Sequence, residues 1–285
     1  MNIAIQLHKV FNLLPITQYL QSALDDIHVV LFNETVDPVG MLREFKPDII
    51  IYHSDSVSQS VFDLINNSKM ALIEHSVDNQ SHGKNVQFSL VKADHPNYFP
   101  PRCNTRIMKG ASYEACFEAD ISCVGPFSPR LAGLIAELLP ENGLSVRFYG
   151  ENHYKNWRYC GALSEPQIKN VYKSSQTTLC YNSGLEYDFR VLDCIVAGGV
   201  PICERNEALI TRFGDVMDTV SFKQGGILDT HNRIEENRLD ILSELRKVRL
   251  DVMNGYTWSD LIGRVFSEIG LKTAAKKILA DKDRP

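Results

Sequence analysis

Short apolar runs and amphipathic stretches alternate along the first third of the chain: "NIAIQL", a helical pattern near Leu13 to Leu24, "HVVLF", "PDIIIYHS", a helical pattern near Val57 to Asn66, "MALIEHS" and "VQFSLVKA". Strand-length runs separated by helices predict a doubly wound parallel sheet, because strands covered on both faces read as continuous apolar runs. The polar, proline-rich stretch "DHPNYFPPRCN" (Asp94 to Asn104) breaks this rhythm and reads as a lid or linker. A second alternation follows: "ISCVG", a helix from about Pro129 to Leu139, "SVRFYG", "PQIKNVYKSS", "TTLCYN", another helix and "VPICE". The expected boundary falls near Glu118, giving domains over 1–118 and 119–285. Beyond Asp229 the pattern turns helical. The leucines of "EENRLDILSELRKVRLDVM" recur at helical spacing, so the stripe from Leu239 to Leu250 is expected in the core, and Thr257 is placed to cap the helix of "TWSDLIGRVFSEIG" with Asp260 three residues on.

The stretch "EYDFRVLDCIVAGGVPICE" (Glu186 to Glu204) is the most informative single segment. Phe189, Leu192, Ile195 and Val196 fall at helical spacing, Gly198 stands where a left-handed cap would end the helix near Ala197, and Val200 to Ile202 read as a buried strand. Arg190 and Asp193 are then expected near the helix entrance, on a face the core does not use, with a surface ion pair as the plain alternative to a binding role.

A chain of 285 residues exceeds what one core usually supports, so two domains are expected. The apolar share of 44% and charged share of 23% are those of a globular protein, and no apolar run approaches the roughly 20 residues of a membrane helix. The start "MNIAIQLHKV" does not read as a signal peptide, which makes the cytoplasm the expected compartment. Seven cysteines without a C-x-x-C point to buried reduced thiols and give no support to a metal site. A net charge of -5 argues against a strongly basic nucleic-acid protein while leaving room for a local basic groove.

Ligands of doubly wound sheets bind beyond the carboxyl ends of the strands. That rule selects His8, His53, Asp55 and His75 on the first sheet, with His53, Asp55 and His75 as the candidate catalytic groups. Neither G-x-G-x-x-G nor a P-loop occurs, which sets aside dinucleotide enzymes and P-loop ATPases. Two segments of the second half run from a strand into a helix entrance suited to an anion: "VGPFSPR", with Gly125 and Arg130, and "YNSGLEYDFR", with Ser183, Gly184 and Arg190.

The runs "DISCVGPFSPR", "VRFYGENHY", "YCGALSEPQIKNVYKSSQTTLCYN", "DFRVLDCIVAGGVPI" and "YTWSDLIGRVF" together resemble, in order and spacing, the spore-maturation type of glycosyltransferase-like proteins, whose C-terminal domain has the GT-B architecture. The resemblance covers roughly 140 residues, all in the second half. It implies an α/β, GT-B-like chain: two Rossmann-like parallel-sheet domains facing a cleft, an N-terminal acceptor side, a C-terminal nucleotide-sugar-binding side and a helical C-terminus. It further implies a nucleotide-sugar donor, UDP-linked in the leading case, with no tightly bound cofactor or metal. Asp193 would bind the donor ribose, Ser183 and Gly184 would meet the diphosphate, and Gly150, Tyr159 and Gly161 would form the base-binding loops. Arg130, Lys155 and Arg190 are the implied cations for the diphosphate.

Related retaining enzymes often carry two glutamates with seven residues between them, whereas Glu186 and Asp193 are separated by six, which leaves both stereochemical outcomes open. Small enzymes of this architecture include phage proteins that glycosylate hydroxymethylated bases in DNA. A DNA base hydroxyl therefore stands beside a glycan or small molecule as acceptor, with Arg102, Arg106 and Lys109 as candidate phosphate contacts. The expected activity is hexosyl or pentosyl transfer without membrane association. A non-catalytic nucleotide-sugar-binding protein and a GT-B epimerase are the alternatives.

Overall fold

The computed structural model describes residues 1–6, 16–17, 20–21, 24, 26–33, 37–53, 58–66, 71–75, 86–88, 102–103, 105–125, 129–138, 143–150, 158–181, 188–223 and 226–281. The chain forms two compact units, one of Met1–Pro100 with Trp258–Arg284 and one of Pro101–Thr257.

In the first unit β1 (Asn2–Gln6), β2 (His28–Phe32), α1 (Pro38–Phe45), β3 (Ile49–His53), α2 (Gln59–Asn66), β4 (Ala71–His75) and β5 (Val86–Phe88) build a parallel sheet of order β2-β1-β3-β4-β5. In the second, α3 (Thr105–Met108), β6 (Ala119–Val124), α4 (Pro129–Leu138), β7 (Val146–Tyr149), α5 (Glu165–Ser174), β8 (Ser175–Cys180), α6 (Phe189–Ala197), β9 (Pro201–Glu204), α7 (Glu207–Phe213), α8 (Asp215–Thr219), β10 (Ser221–Phe222), α9 (Ile227–Glu236) and α10 (Arg238–Gly255) follow. Their sheet has the order β10-β9-β8-β6-β7, again parallel, so both units share one winding: the first strand lies between the second and the third. The chain closes with α11 (Trp258–Glu268) and α12 (Lys272–Asp281).

Period-two geometry explains why the last two helices belong to the first unit. Ile3, Ile5, Ile49 and Ile51 project to one face, where they pack with Trp258, Leu261, Ile262, Val265 and Phe266 of α11 and with Ile278 of α12. Ala4, Ile50 and Tyr52 project to the other face and meet Leu42 of α1 and Val61 of α2. The expected division at Glu118 is therefore corrected twice: the units part within the proline-rich stretch, at Pro100/Pro101, and the C-terminal helices return to the first sheet.

Three further expectations change. On α10 the buried stripe is Ile241, Leu245, Val248 and Val252, whereas Leu239 and Leu250 are 84% and 60% exposed. Of the seven cysteines, Cys116 and Cys160 are exposed and the other five are buried and free. Helix α1 was not expected, although its signal is local: Asp37 caps it by accepting from the Gly40 amide at 2.9 Å, and Pro38 stands at its first position. The helix expected near Leu13 to Leu24 falls largely outside the described residues, whereas α11 begins directly after Thr257 as expected.

A buried polar chain ties α9 to the second sheet. The Thr177 hydroxyl lies 3.1 Å from the Asp120 carbonyl and 3.0 Å from His231 Nδ1. Burial lowers the pKa of His231 below its ordinary 6.5, with Arg238 acting in the same sense and Glu235 and Asp120 against it. The native state therefore binds fewer protons than the unfolded chain, and the stability tied to His231 is complete above about pH 6.5 and lost as the pH falls through that region. Urea unfolding should show lower stability at pH 5.5 than at pH 7, and His231→Gln should flatten that dependence.

Candidate functional site

The second sheet reaches its carboxyl edge at Val124, Tyr149, Cys180, Glu204 and Phe222, and the segments that follow carry its polar side chains. In a sheet of this winding the crevice where strand order reverses lies between β6 and β8. Arg190, in the first turn of α6, fills that crevice. Its Nη1 donates to the Val124 carbonyl at 2.9 Å and its Nη2 to the Tyr181 carbonyl at 3.1 Å, so one guanidinium joins the ends of the two strands. Its Nε lies 2.9 and 3.0 Å from the two carboxylate oxygens of Asp188, its Nη2 pairs with the same carboxylate, and the group stacks 4.3 Å above the Tyr181 ring. Burial alone would lower the guanidinium pKa, but the Asp188 charge and hydrogen bonds raise it well above its usual value.

Asp188 does two jobs at once, because it also caps α6 by accepting from the Arg190 amide at 2.8 Å. At the far end Gly198, with φ of 84°, terminates the helix in the left-handed conformation as expected, and a Cβ on Gly199 would overlap the Tyr172 carbonyl. Gly125 has a different task. It has a positive φ of 147°, and a Cβ there would overlap Arg190 Nη1, so its bare backbone makes room for the guanidinium.

The placement of Arg190 and Asp193 on a polar face is thus corrected. Both are buried, and Arg190 pairs with Asp188 instead of Asp193. Asp193 lies one turn further along α6; burial first, and then the charge of this carboxylate, push the Cys103 thiol well up.

Beside the Arg190 plug, a cleft of about 700 Å³ opens over β8, β9 and β10. That volume is within the range of small-molecule sites. Its floor includes Cys180, Val191, Cys203, Leu209 and Phe222, and its charged rim is formed by Arg130, Glu137, Asp188, Glu204, Arg205 and Lys223. Burial pushes the Cys203 thiol up to about 12, so it enters the floor as a neutral, weakly polar group and not as a nucleophile. Arg130 pairs with Glu204; Arg205 pairs with Glu207 and, at 2.7 Å, with Asp218; Lys223 makes no ion pair among the described residues.

The structure brings only part of the expected set into this cleft. Arg130 lines it, whereas Gly125, Arg190 and Asp193 are not among its lining residues. Gly150 and Tyr159 are brought together on the far side of the sheet: the Tyr159 hydroxyl donates to the Gly150 carbonyl at 2.6 Å, and Gly150 N donates to Gly161 O at 3.1 Å, which fastens this segment alongside β7. His53 and His75 end the adjacent strands β3 and β4 and are partners in register. Asp55, Ser183 and Gly184, like His8, Lys155 and Glu186, lie outside the described residues.

Arg102, expected at a phosphate, is buried, donates to the Gly255 carbonyl and lies 5.2 Å from the Tyr256 ring centre, so it ties down its own segment. The rim residues Glu137, Asp188, Glu204, Arg205 and Lys223 were not anticipated. A local signal existed for three of them: charges at or directly after a strand end in "PICER" and "SFK". Among the described residues no group of three or more His, Cys, Asp or Glu side chains is placed to hold a metal ion, and no helix is long and apolar enough to cross a membrane.

The fold of two parallel-sheet α/β units is shared with solved glycosyltransferase structures. Sucrose-phosphate synthase from Thermosynechococcus elongatus is similar over 98% of this chain and 99% of its own, with a TM-score of 0.59 and 10% identity. A glycosyltransferase from Rickettsia africae is similar over 98% of each chain (TM-score 0.55, 10% identity), and an α1,3-fucosyltransferase over 96% of this chain and 90% of its own (TM-score 0.52, 11% identity). At these identities the likeness is one of fold. No protein-family model and no curated protein matches the sequence.

Proposed function

We propose that this protein is a glycosyltransferase that moves a hexosyl or pentosyl group from a nucleotide-sugar, UDP-linked in the leading case, to an acceptor hydroxyl. The observation that carries the reading is the cleft at the carboxyl edge of the second sheet, whose rim gathers Arg130, Arg205 and Lys223 over a largely apolar floor. Transfer leaves a nucleoside diphosphate, and its growing charge must be met by fixed cations. Lys223, which makes no ion pair among the described residues, is the group most available for that contact. The floor formed by Val191, Leu209 and Phe222 suits the apolar face of a nucleoside. On the acceptor side, His53 and His75 close adjacent strands of the first sheet, where a general base for the incoming hydroxyl is expected. The run resembling spore-maturation glycosyltransferases supports the same donor class.

A ligand that binds only the native state raises its melting temperature. A panel of UDP, GDP, dTDP and ADP with their sugars is expected to give a selective shift with one nucleotide. Lys223→Ala should weaken that ligand about tenfold, equivalent to about 1.4 kcal/mol, without changing the melting temperature of the free protein. The bound sugar would then be offered to glycans, small hydroxyl compounds and hydroxymethylated DNA. Binding without turnover would favour a nucleotide-sugar-binding protein, and conversion of the donor alone into an isomer would favour an epimerase. No shift with any nucleotide would overturn the donor-site reading.

A further inference from the structure

The anion-binding groups around the cleft are largely occupied by the protein's own acceptors. Asp188 caps α6 and holds Arg190, Asn206 caps α7 by accepting from the Ala208 and Leu209 amides, and Arg205 is shared between Glu207 and Asp218. Arg130 is the exception in quality. Its Nε and Nη2 both donate to a single oxygen of Glu204, Oε1, at 3.1 and 2.6 Å. The guanidinium fork is thus closed on one atom, whereas a phosphate presents two oxygens to it side by side. The pair is also wet, with side chains 58% and 23% exposed, and an ion pair this exposed contributes little to stability. A weak, poorly matched partner is easily exchanged.

We propose that Glu204 is a latch on Arg130: a carboxylate that holds the place of a ligand phosphate and must be displaced before Arg130 can join Lys223 in binding it. Glu204 and Arg130 face each other from the end of β9 and the first turn of α4, both on the cleft rim, with Lys223 following β10 on the same rim. A ligand that supplies two neighbouring phosphate groups can engage Lys223 first and then compete for Arg130, so the latch selects a diphosphate. The proposal deepens the donor-site reading and rests on it for the nucleotide, but its electrostatic core applies to any compact phosphate anion.

The test is a cycle of Glu204→Gln, Arg130→Gln and the double variant, with affinity measured calorimetrically for inorganic pyrophosphate and for UDP, and with thermal melts as folding control. Glu204→Gln is expected to tighten both ligands about two- to fivefold, the fold-change that corresponds to releasing an exposed ion pair. In the Arg130→Gln background the same change should have no effect, a dependence that loss of packing at Glu204 would not produce. Weaker binding after Glu204→Gln, or equal tightening with and without Arg130, would overturn the latch even if UDP binds well. Tightening of pyrophosphate through Arg130 with no response to any nucleotide would support the latch and overturn the nucleotide-sugar reading. Failure of every variant to bind either ligand would overturn both.

Discussion

Arg190→Met is expected to destabilise the second unit by about 3–5 kcal/mol, which should be visible as a lower urea midpoint. That is the cost found when one partner of a buried ion pair is removed and the other charge is left behind. Here the abandoned charge is the Asp188 carboxylate, buried at the entrance of α6, and the Val124 and Tyr181 carbonyls lose their donors at the same time. The partner variant sharpens the argument. Asparagine in place of Asp188 is neutral yet still able to cap a helix, so Asp188→Asn combined with Arg190→Met should recover much of the loss. Equal destabilisation by the single and double variants would mean that packing, and not charge, sets the cost. Because Arg190 holds strand ends together, a fall in nucleotide affinity after its replacement would report on folding unless the melts are matched.

Gly125→Ala is expected to cost at least about 2 kcal/mol, from two separable sources. The positive φ contributes roughly 1 kcal/mol or more for any residue with a Cβ. The remainder is steric: the new methyl occupies the position of Arg190 Nη1, so the guanidinium must leave its slot and give up the Val124 carbonyl. With methionine at position 190 there is no guanidinium to displace, and Gly125→Ala should then cost only the backbone part. Urea unfolding of the two singles and the double should therefore show strong non-additivity, as neighbours in contact do. Additive costs would place the strain entirely in the backbone at Gly125.

Much of the fold is legible because it rests on local patterns. Short apolar runs located every strand of both sheets except the two-residue β10, and the glycine pair at 198 and 199 marked the end of α6. What the pattern could not supply is which sheet an amphipathic helix covers: α11 carries an apolar face that any sheet would accept, and only Ile3, Ile5, Ile49 and Ile51 identify its partner. On α10 leucine identity misled, since burial follows angular position and the inward positions there are held by Ile241, Leu245, Val248 and Val252.

The candidate site was harder to read for a related reason. Arg130, Glu204, Arg205 and Lys223 are scattered over nearly a hundred residues and meet only because three strands, β6, β9 and β10, end on one edge. Arg190 stood out as a charge at the helix entrance, but a helical wheel cannot show that a long side chain in the first turn will curl back to its own N-cap, two residues earlier.

The two segments that bracket the second unit are joined at its base: Cys103 bridges to Thr257, and its amide donates to the Tyr256 carbonyl at 3.0 Å. The second unit is continuous in sequence, while the first is completed only by α11 and α12, which arrive after it. For a disordered chain, bringing Trp258 back to the first sheet would mean closing a loop over the whole of Pro101–Thr257, with the entropy that entails. Once the second unit has folded and its ends are fastened, that long loop becomes a short splice. The loop-closure cost therefore favours an order of assembly in which the inserted unit forms first and the first sheet is completed last.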